Sequence, residues 1–385
     1  MTMRALSSLL LCAAFTGGTA LAQNQALQLT TGIDGGVDFA YVPEFLPPTG
    51  ITVEAVITYD DATIPTGLNY WPTIARQNIN ANAESWNLRV SAGSNAARAL
   101  QFSVRTSNNG FYSATYNFTA GEFTTPTHLA GTFDGQTIRI FKNGAQVATF
   151  TVPSVLPLRN TGGILRVGNG DPVLPGNETW NGTIDELRIW PMARTAAELL
   201  AAKDQELAGL PGVLAFHWNG SYDELDHQLV GTQFGTTSFV AAAPLTVLAP
   251  LALALGSATT NCTRVPAMAL GSAPSLGNAA FSLYCTNAPL PASSPLAVVV
   301  AALTSAPPNQ PPFFGVDLAF DLNSVAAQTV LVPASTLLGT TRFGLALPSD
   351  PSFSGVSLVF QFAFYDSACG PQGYTASNGL LFSIL

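Results

Sequence analysis

Four acidic residues are the candidates for hydrolytic chemistry in this sequence: Glu84, Asp185, Glu186 and Glu224. A glycoside hydrolase needs two carboxyl groups flanking the scissile bond, and their separation sets the stereochemical outcome. Asp185 and Glu186 are adjacent, so a regular strand would point them to opposite faces. Glu224 opens a segment with two acids at alternate positions, but Gln228 stands where a third acid would complete the set. We therefore expect a protein that binds its ligand without cleaving it.

Three aromatic residues in predicted loops are the candidates for ligand binding: Tyr70, Trp71 and Trp180. Sugar rings present C–H faces that stack on aromatic side chains, while amides and hydroxyls fix their orientation. Tyr70 and Trp71 lie in an asparagine-containing loop predicted over residues 59–84, and Trp180 follows a Gly-Asn-Glu-Thr segment. The alternative is that these aromatics plug the ends of a β-sandwich. The tryptophans expected in the core lie within predicted strands: Trp86, Trp190 and Trp218.

The sequence predicts no cofactor, and calcium is the one ion that its scattered acids could hold. Calcium prefers six to eight oxygen ligands, and no dense acidic loop is present. Zinc requires clustered histidine or cysteine, whereas the three histidines are dispersed. The acids that could contribute to a calcium site are Asp34, Asp38, Asp171, Glu178 and Asp185. The histidines are His128, His217 and His227.

The first 22 residues have the composition of a secretory signal peptide. Arg4 precedes an apolar run, and Ala20-Leu-Ala22 is a small-x-small cleavage site. Cleavage would start the mature chain at Gln23 and place the protein outside the cell or on its surface. Cleavage removes one basic residue, Arg4, so the mature chain has 13 basic and 23 acidic residues and a net charge of −10. Such a charge disfavours nucleic acid and anionic lipid as partners.

Turn dipeptides and strand periodicity predict antiparallel sheet over residues 127–198. Asp134-Gly135 and Asn143-Gly144 are two-residue turn signals, and polar and apolar residues alternate between them with the period of a strand. One convincing helix is predicted over residues 195–208, because Thr195 and Glu198 have the spacing of a capping box.

The same stretch carries a family resemblance. It contains His-Leu-Ala-Gly-Thr-Phe-Asp-Gly from His128, then Ile-Phe-Lys-Asn-Gly, then Trp-Asn-Gly-Thr-Ile-Asp-Glu-Leu-Arg-Ile-Trp from Trp180, and a closing turn and short helix after Ala193. In this order the motifs resemble the laminin-G-like, concanavalin-A-like jelly roll, over about residues 24–240. The resemblance implies an all-β jelly-roll sandwich and leaves the ligand open, because site chemistry does not follow from fold.

Composition predicts the domain boundaries. After the signal peptide, residues 23–240 form the jelly-roll domain, 241–259 an apolar linker or edge strand, and 260–385 a second, immunoglobulin-like β-sandwich with strands separated by Pro, Gly and Asn turns. This last part resembles a C-terminal module of secreted bacterial proteins that has no established activity. The apolar run Phe239–Gly256 is long enough for a membrane span, but its internal prolines favour the linker, so no transmembrane segment is expected after signal cleavage.

Three cysteines remain after signal cleavage: Cys262, Cys285 and Cys369. An oxidising compartment predicts one disulfide and one thiol left over. In an immunoglobulin-like sandwich all three positions lie at one end, so each of the three pairings is topologically possible.

Taken together, these patterns favour a secreted, non-catalytic binding or adhesion protein whose jelly-roll domain binds a glycan or an extracellular protein surface. Two alternatives remain open. One is a jelly-roll glycoside hydrolase, and the other is a structural protein of the cell surface or matrix.

Overall fold

The computed structural model describes most of the chain after the predicted signal peptide. Residues 1–23, with the predicted cleavage site, lie outside the described residues. The described ranges are 24–30, 32–62, 70–78, 80, 83–92, 98–170, 178–207, 209–218, 220–224, 228–248, 252–259, 264–290, 296–307, 310, 312–313, 316–321, 328–333, 335–367, 369 and 372–385.

The N-terminal part of the described chain is built almost entirely of strands. They are β1 (Gln25–Leu29), β2 (Gly35–Phe39), β3 (Ile51–Ile57), β4 (Thr73–Gln77), β5 (Trp86–Ala92), β6 (Arg98–Arg105), β7 (Phe111–Asn117), β8 (Thr127–Phe133), β9 (Thr137–Lys142), β10 (Ala145–Thr151), β11 (Leu165–Val167), β12 (Gly182–Trp190), β13 (Gln205–Leu207), β14 (Leu214–Phe216), β15 (Gly231–Gly235) and β16 (Ser238–Ala241). One α-helix, α1 (Ala196–Ala202), lies between β12 and β13 in the described chain.

These strands form a jelly-roll sandwich of two antiparallel sheets. The first has the order β10-β9-β8-β3-β12-β1-β16, with β14 paired to β12, and we call it sheet I. The second has the order β15-β2-β11-β4-β5-β6-β7, and we call it sheet II. The hydrophobic core lies between them and contains side chains from both, including Phe102, Ile184 and Trp86. The predicted all-β jelly roll is therefore confirmed.

The turn dipeptides fold as predicted. Asn143 and Gly144 both adopt left-handed backbone, with φ of 49° and 80°, and join β9 to β10 in the register that pairs Lys142 with Ala145. Only residues that tolerate positive φ fit both central positions of such a turn. The predicted core tryptophans are also confirmed, because Trp86, Trp190 and Trp218 are fully buried.

The C-terminal part of the described chain is a second all-β unit. Its strands are β17 (Thr246–Leu248), β18 (Ala252–Leu255), β19 (Ala267–Leu270), β20 (Ser282–Thr286), β21 (Leu296–Ala302), β22 (Gln328–Pro333), β23 (Thr341–Gly344), β24 (Ser357–Tyr365), β25 (Tyr374–Ala376) and β26 (Gly379–Ser383). One antiparallel sheet has the order β18-β26-β24-β21-β22, with β25 on β24, and the other has the order β19-β20-β23. Strand β17 instead pairs in parallel with β13 of the N-terminal part.

Two local predictions were wrong. Helix α1 has the predicted capping box between Thr195 and Glu198, but it ends at Ala202, because residues 205–207 pair with β17 as a strand. The segment 59–84 is not one loop, because it contains β4. Strand β4 was missed because its Thr-Ile-Ala-Arg-Gln sequence lacks strict alternation, and pairing on both sides with β5 and β11 stabilises it.

The two β units pack directly against each other over the outer face of sheet I. Trp190 and Met192 from the jelly roll share one hydrophobic cluster with Met268 and Leu283 from the second unit. Arg194 donates a hydrogen bond of 2.8 Å to the Gly271 carbonyl across the boundary. One outer face of the jelly roll is therefore covered by the C-terminal unit.

The structure describes two of the three cysteines that follow the signal peptide, Cys285 and Cys369. Cys285 is a free, fully buried thiol in β20, and burial raises its pKa. Cys285 therefore takes no part in a disulfide in this structure. Cys369 is also buried, and Cys262 lies outside the described residues. Separately, no helix among the described residues is long and apolar enough to cross a membrane.

Candidate functional site

The outer face of sheet II lies on the side of the jelly roll opposite the second β unit, and we call it the polar face. Cross-strand pairing places Arg76, Asn87 and Ser103 in one row across β4, β5 and β6. Two residues further along, Arg89 pairs with Gln101. Because side chains alternate along a strand, these polar groups share one face while Leu88 and its neighbours fill the core.

Trp71 is the aromatic side chain of this face, and it is partly exposed. It lies just before β4, where the Thr73 hydroxyl donates a hydrogen bond of 2.9 Å to its carbonyl oxygen. The guanidinium of Arg89 lies over the indole ring at 4.3 Å from the ring centre. A cation over an indole face is favourable, and it holds the ring in a fixed orientation beside the polar row.

Arg76 lies between two carboxylates on the polar face. It donates to Glu84 at 2.9 Å and to Glu178 at 3.5 Å, and all three side chains are buried. Glu84 also accepts a hydrogen bond of 3.0 Å from the amide of Asn87. The guanidinium neutralises part of the charge of the two carboxylates and fixes their positions, which suits orientation of a ligand better than proton transfer.

A second ion pair extends the polar face toward β2. Arg166 donates two hydrogen bonds of 2.7 Å to the carboxylate oxygens of Asp38. The ring of Phe234 lies 4.3 Å from the Arg166 guanidinium carbon. Such a bidentate pair with a stacked aromatic is geometrically specific. The polar face therefore combines near-balanced charge with aromatic surface.

Two polar atoms of this face are buried without a hydrogen-bond partner among the described residues: Nε of Arg89 and Oδ1 of Asn87. Buried donors and acceptors are nearly always paired in folded proteins. Both atoms lie beneath the surface, so the groups of this face that a ligand can contact are the partly exposed side chains of Trp71, Arg89 and Gln101.

Tyr70 and Trp180, the other predicted ligand-binding residues, are buried. Tyr70 is 1% exposed, and its hydroxyl donates to the Thr179 carbonyl at 3.1 Å. Trp180 is fully buried, its indole N–H donates to the Thr58 carbonyl at 3.0 Å, and its ring packs on Tyr59 with ring centres 4.6 Å apart. In this arrangement neither ring can stack on a sugar. Both match the alternative expectation that these aromatics plug the end of the sandwich.

The four candidate catalytic carboxylates are not gathered into one site. Glu84 lies on the polar face, whereas Asp185 and Glu186 lie in β12 of sheet I and are 2% and 1% exposed. Glu224 is fully buried and accepts a hydrogen bond of 3.2 Å from the Ala215 amide. Burial, followed by the negative charge of Glu186, raises the pKa of Asp185 to about 8. Asp185 and Glu186 are both enclosed, so a polysaccharide cannot reach either carboxyl group.

The opposite face of the jelly roll, under α1 and the second unit, holds a buried ionic network around Glu54. Its carboxylate accepts hydrogen bonds from Arg188 at 3.0 Å, Arg194 at 2.8 Å and the Trp190 indole at 2.9 Å. Burial works against ionisation of Glu54, but Arg194, the His128 ring with its Nε2 at 3.4 Å, and Arg188 together hold the pKa of Glu54 well below the ordinary value. This network stabilises the fold and has no opening to solvent.

Three of the acids considered for calcium are occupied by other contacts, Asp185 is enclosed in β12, and the fifth lies outside the described residues. Asp38 pairs with Arg166, Glu178 pairs with Arg76, and Asp34 accepts a hydrogen bond of 2.7 Å from the Asn169 amide. Asp171 lies outside the described residues, as does His227. Sequence analysis treated the histidines as dispersed and did not predict that His217 lies close to Glu186 and Glu206.

Comparison with known proteins agrees with the fold. The sequence model of the concanavalin A-like lectin/glucanases superfamily matches residues 30–200. The curated relative Pappalysin-1 of Mus musculus is 36% identical over 86 residues, which are 22% of this chain and 5% of that protein. The chain thus spans a small fraction of this curated relative.

Two solved structures are among those similar to this chain. One is a candidate carbohydrate-binding protein from Bacteroides ovatus, with a TM-score of 0.44, 19% identity, and coverage of 57% of this chain and 61% of that one. The other is the heptameric SAP-like pentraxin of Limulus polyphemus, with a TM-score of 0.38, 13% identity, and coverage of 57% and 96%. Neither similarity is close enough to transfer a ligand to this chain.

Proposed function

We propose that this protein binds carbohydrate through the polar face of its jelly-roll domain and does not cleave it. The observation that carries the proposal is the partly exposed Trp71, which Arg89 holds in place on a face where the Arg89 and Gln101 side chains are also partly exposed. The indole offers a stacking surface for the C–H face of a sugar ring, and the partly exposed Arg89 and Gln101 side chains offer donors and an acceptor for its hydroxyls.

The location and charge of the face support this proposal. The other outer face of the jelly roll packs against the second β unit, which leaves the side of sheet II, with its partly exposed Trp71, as the side for a ligand. The ionic side chains there form mixed pairs, Arg76 with Glu84 and Glu178, and Arg166 with Asp38. A neutral glycan fits such a balanced surface better than a highly charged polymer does. The match to a lectin/glucanase superfamily over residues 30–200 agrees with this ligand class.

Binding without turnover is the form of this function that the carboxylates support best. A hydrolase of this class needs one carboxyl group that can donate a proton and a second that can act as base or nucleophile. Glu84 and Glu178 are both held by Arg76, while Asp185 and Glu186 are enclosed in sheet I. Release of reducing ends from a bound glycan, abolished by Glu84→Gln, would replace this proposal with the hydrolase alternative.

The first prediction concerns Trp71. Screening the full mature chain on a glycan array should identify a ligand, and calorimetry should then show affinity at least about tenfold weaker for Trp71→Ala. Phe353→Ala is the matched control, because Phe353 is 42% exposed in the second unit, far from the polar face, and its loss should leave affinity unchanged. An array without any binding would favour a protein partner or a structural role, and equal losses for both variants would place the site elsewhere.

We further propose that the chain is secreted and carries a disulfide between Cys262 and Cys369. The signal-like N-terminus supports secretion, and the free thiol of Cys285 supports this pairing. Mass spectrometry of secreted protein digested without reductant should find an N-terminal peptide starting at Gln23 and a cross-linked peptide containing Cys262 and Cys369. An N-terminal peptide that still contains Met1 would contradict cleavage of the signal peptide. A cross-linked peptide that contains Cys285 would contradict the proposed disulfide.

A further inference from the structure

A cluster of one histidine and two glutamates lies where β12, β13 and the end of β14 meet, away from the polar face. Nδ1 of His217 is 2.7 Å from Oε1 of Glu186 and 4.0 Å from Oε1 of Glu206. The three residues can each present one ligand atom, and these atoms lie within 4.8 Å of one another. We propose that Glu186, Glu206 and His217 form a binding site for a divalent transition metal of the zinc class.

The backbone brings these side chains together from three separate strands. Glu186 belongs to β12, Glu206 to β13, and His217 follows the last residue of β14. The pairing of β12 with β3 contains an irregularity between Asp185 and Arg188, where three steps along β12 oppose two along β3. Glu186 has a φ of 48° at this bulge. Bulges redirect side chains, and here the result is that Glu186 reaches both His217 and Arg188.

A third carboxyl group, that of Asp185, lies next to Glu186 in β12. Oδ2 of Asp185 has no hydrogen-bond donor among the described residues, although this side chain is only 2% exposed. Arg188 supplies one guanidinium, at 3.0 Å from Glu186. A bound dication would supply positive charge to this group of three carboxyls.

The donor set selects the kind of metal. One imidazole nitrogen and two carboxylate oxygens suit zinc and its neighbours, whereas calcium prefers six to eight oxygens. Zinc–ligand bonds of about 2.0–2.2 Å separate tetrahedral ligand atoms by roughly 3.4 Å. The 2.7 Å contact from His217 to Glu186 would therefore lengthen, and the 4.0 Å contact to Glu206 would shorten. A metal on Nδ1 would replace the hydrogen bond that now joins His217 to Glu186.

The cluster is near enough to solvent for an ion to enter. Glu206 is 9% exposed and His217 is 8% exposed, while Glu186 beneath them is 1% exposed. Three protein ligands leave a fourth position for water, as in open zinc sites. Because β13 also pairs with β17, a metal here would tie the segment after the jelly roll to sheet I.

The test is metal binding by the tag-free mature protein after dialysis against a chelator. We expect calorimetry to show one zinc ion per chain, a rise in melting temperature with zinc and no comparable rise with calcium. Glu206→Gln, at the rim of the cluster, should weaken zinc binding at least about 100-fold while the circular dichroism spectrum stays native. Asp204→Asn is the matched control, because Asp204 is an exposed neighbour whose ion pair is with Lys203.

A spectroscopic readout separates ligation from a merely structural role. Cobalt bound in place of zinc should give the visible absorption of a four-coordinate ion with one nitrogen and several oxygen ligands, and Glu206→Gln should lose this absorption. Absence of zinc binding by the native protein would overturn the proposal. Equal zinc affinity of the native protein and Glu206→Gln would also overturn it, because the ion would then be bound elsewhere.

Discussion

Replacing Glu54 with alanine is expected to lower the free energy of unfolding by about 3–5 kcal/mol. Glu54 is fully buried and accepts hydrogen bonds from Arg188, Arg194 and the Trp190 indole. Removing the Glu54 carboxylate leaves the buried guanidinium groups of Arg188 and Arg194 without part of their counter-charge. An uncompensated buried charge is far more costly than a lost surface ion pair. Chemical denaturation of the two proteins at neutral pH measures the difference.

The pH dependence provides a second readout of the same network. Arg194, His128 and Arg188 hold the pKa of Glu54 below its ordinary value despite burial. A depressed folded-state pKa contributes stability that is present above the unfolded-state pKa, about 4.3, and is lost as the pH falls below it. Glu54→Gln should therefore flatten the decline of stability between about pH 5 and pH 3.

Asp204→Ala is the control for this prediction. Asp204 also forms an ion pair, with Lys203, but its side chain is 73% exposed, so its loss should change the free energy of unfolding by less than about 1 kcal/mol. If Glu54→Ala cost no more than Asp204→Ala, the network would be a minor contributor to stability.

The second large effect is expected at Glu198, which joins the two β units. Its fully buried carboxylate accepts hydrogen bonds from Ser282, from Tyr284 at 3.0 Å and from Arg342 at 3.0 Å, all in the second unit. It also accepts from the Thr195 amide at 2.7 Å as part of the capping box of α1. Glu198→Ala should cost about 3 kcal/mol, because it leaves buried donors on both sides of the boundary unpaired.

Scanning calorimetry distinguishes loss of coupling from general destabilisation. The native protein should unfold in one transition, because Trp190 and Met192 share a hydrophobic cluster with the second unit. In Glu198→Ala the two units should begin to melt separately. Glu198→Gln keeps an acceptor for the capping box but lacks the charge opposite Arg342, so its effect should be intermediate. Two separate transitions in the native protein would show that the boundary does not couple the units.

Local pattern was sufficient to predict most of the strands. The alternation between Thr137 and Lys142 gave the correct strand, and the left-handed Asn143-Gly144 gave the correct turn. These features depend on neighbours in sequence, so the sequence contains them directly. The C-terminal end of α1 and the existence of β4 depend on distant partners, β17 and β11, and were missed for that reason.

The candidate site was only partly predictable. The type of residue selected Tyr70, Trp71 and Trp180 equally, but loop packing buries two of them and leaves Trp71 partly exposed. The polar partners of Trp71 come from other strands. Arg89 and Gln101 become visible as candidates only once β5 is known to pair with β4 and β6.

The amino-acid sequence by itself determined the strands, the tight turns, the helix cap and the all-β class, because each follows from side-chain alternation and backbone preference over a few residues. Tertiary structure alone decided which face of the jelly roll stays open, which aromatics are buried, and that His217 meets Glu186 across 31 residues of chain. These outcomes depend on how sheets and loops pack against each other, and burial and pairing between distant segments leave no signal in local spacing.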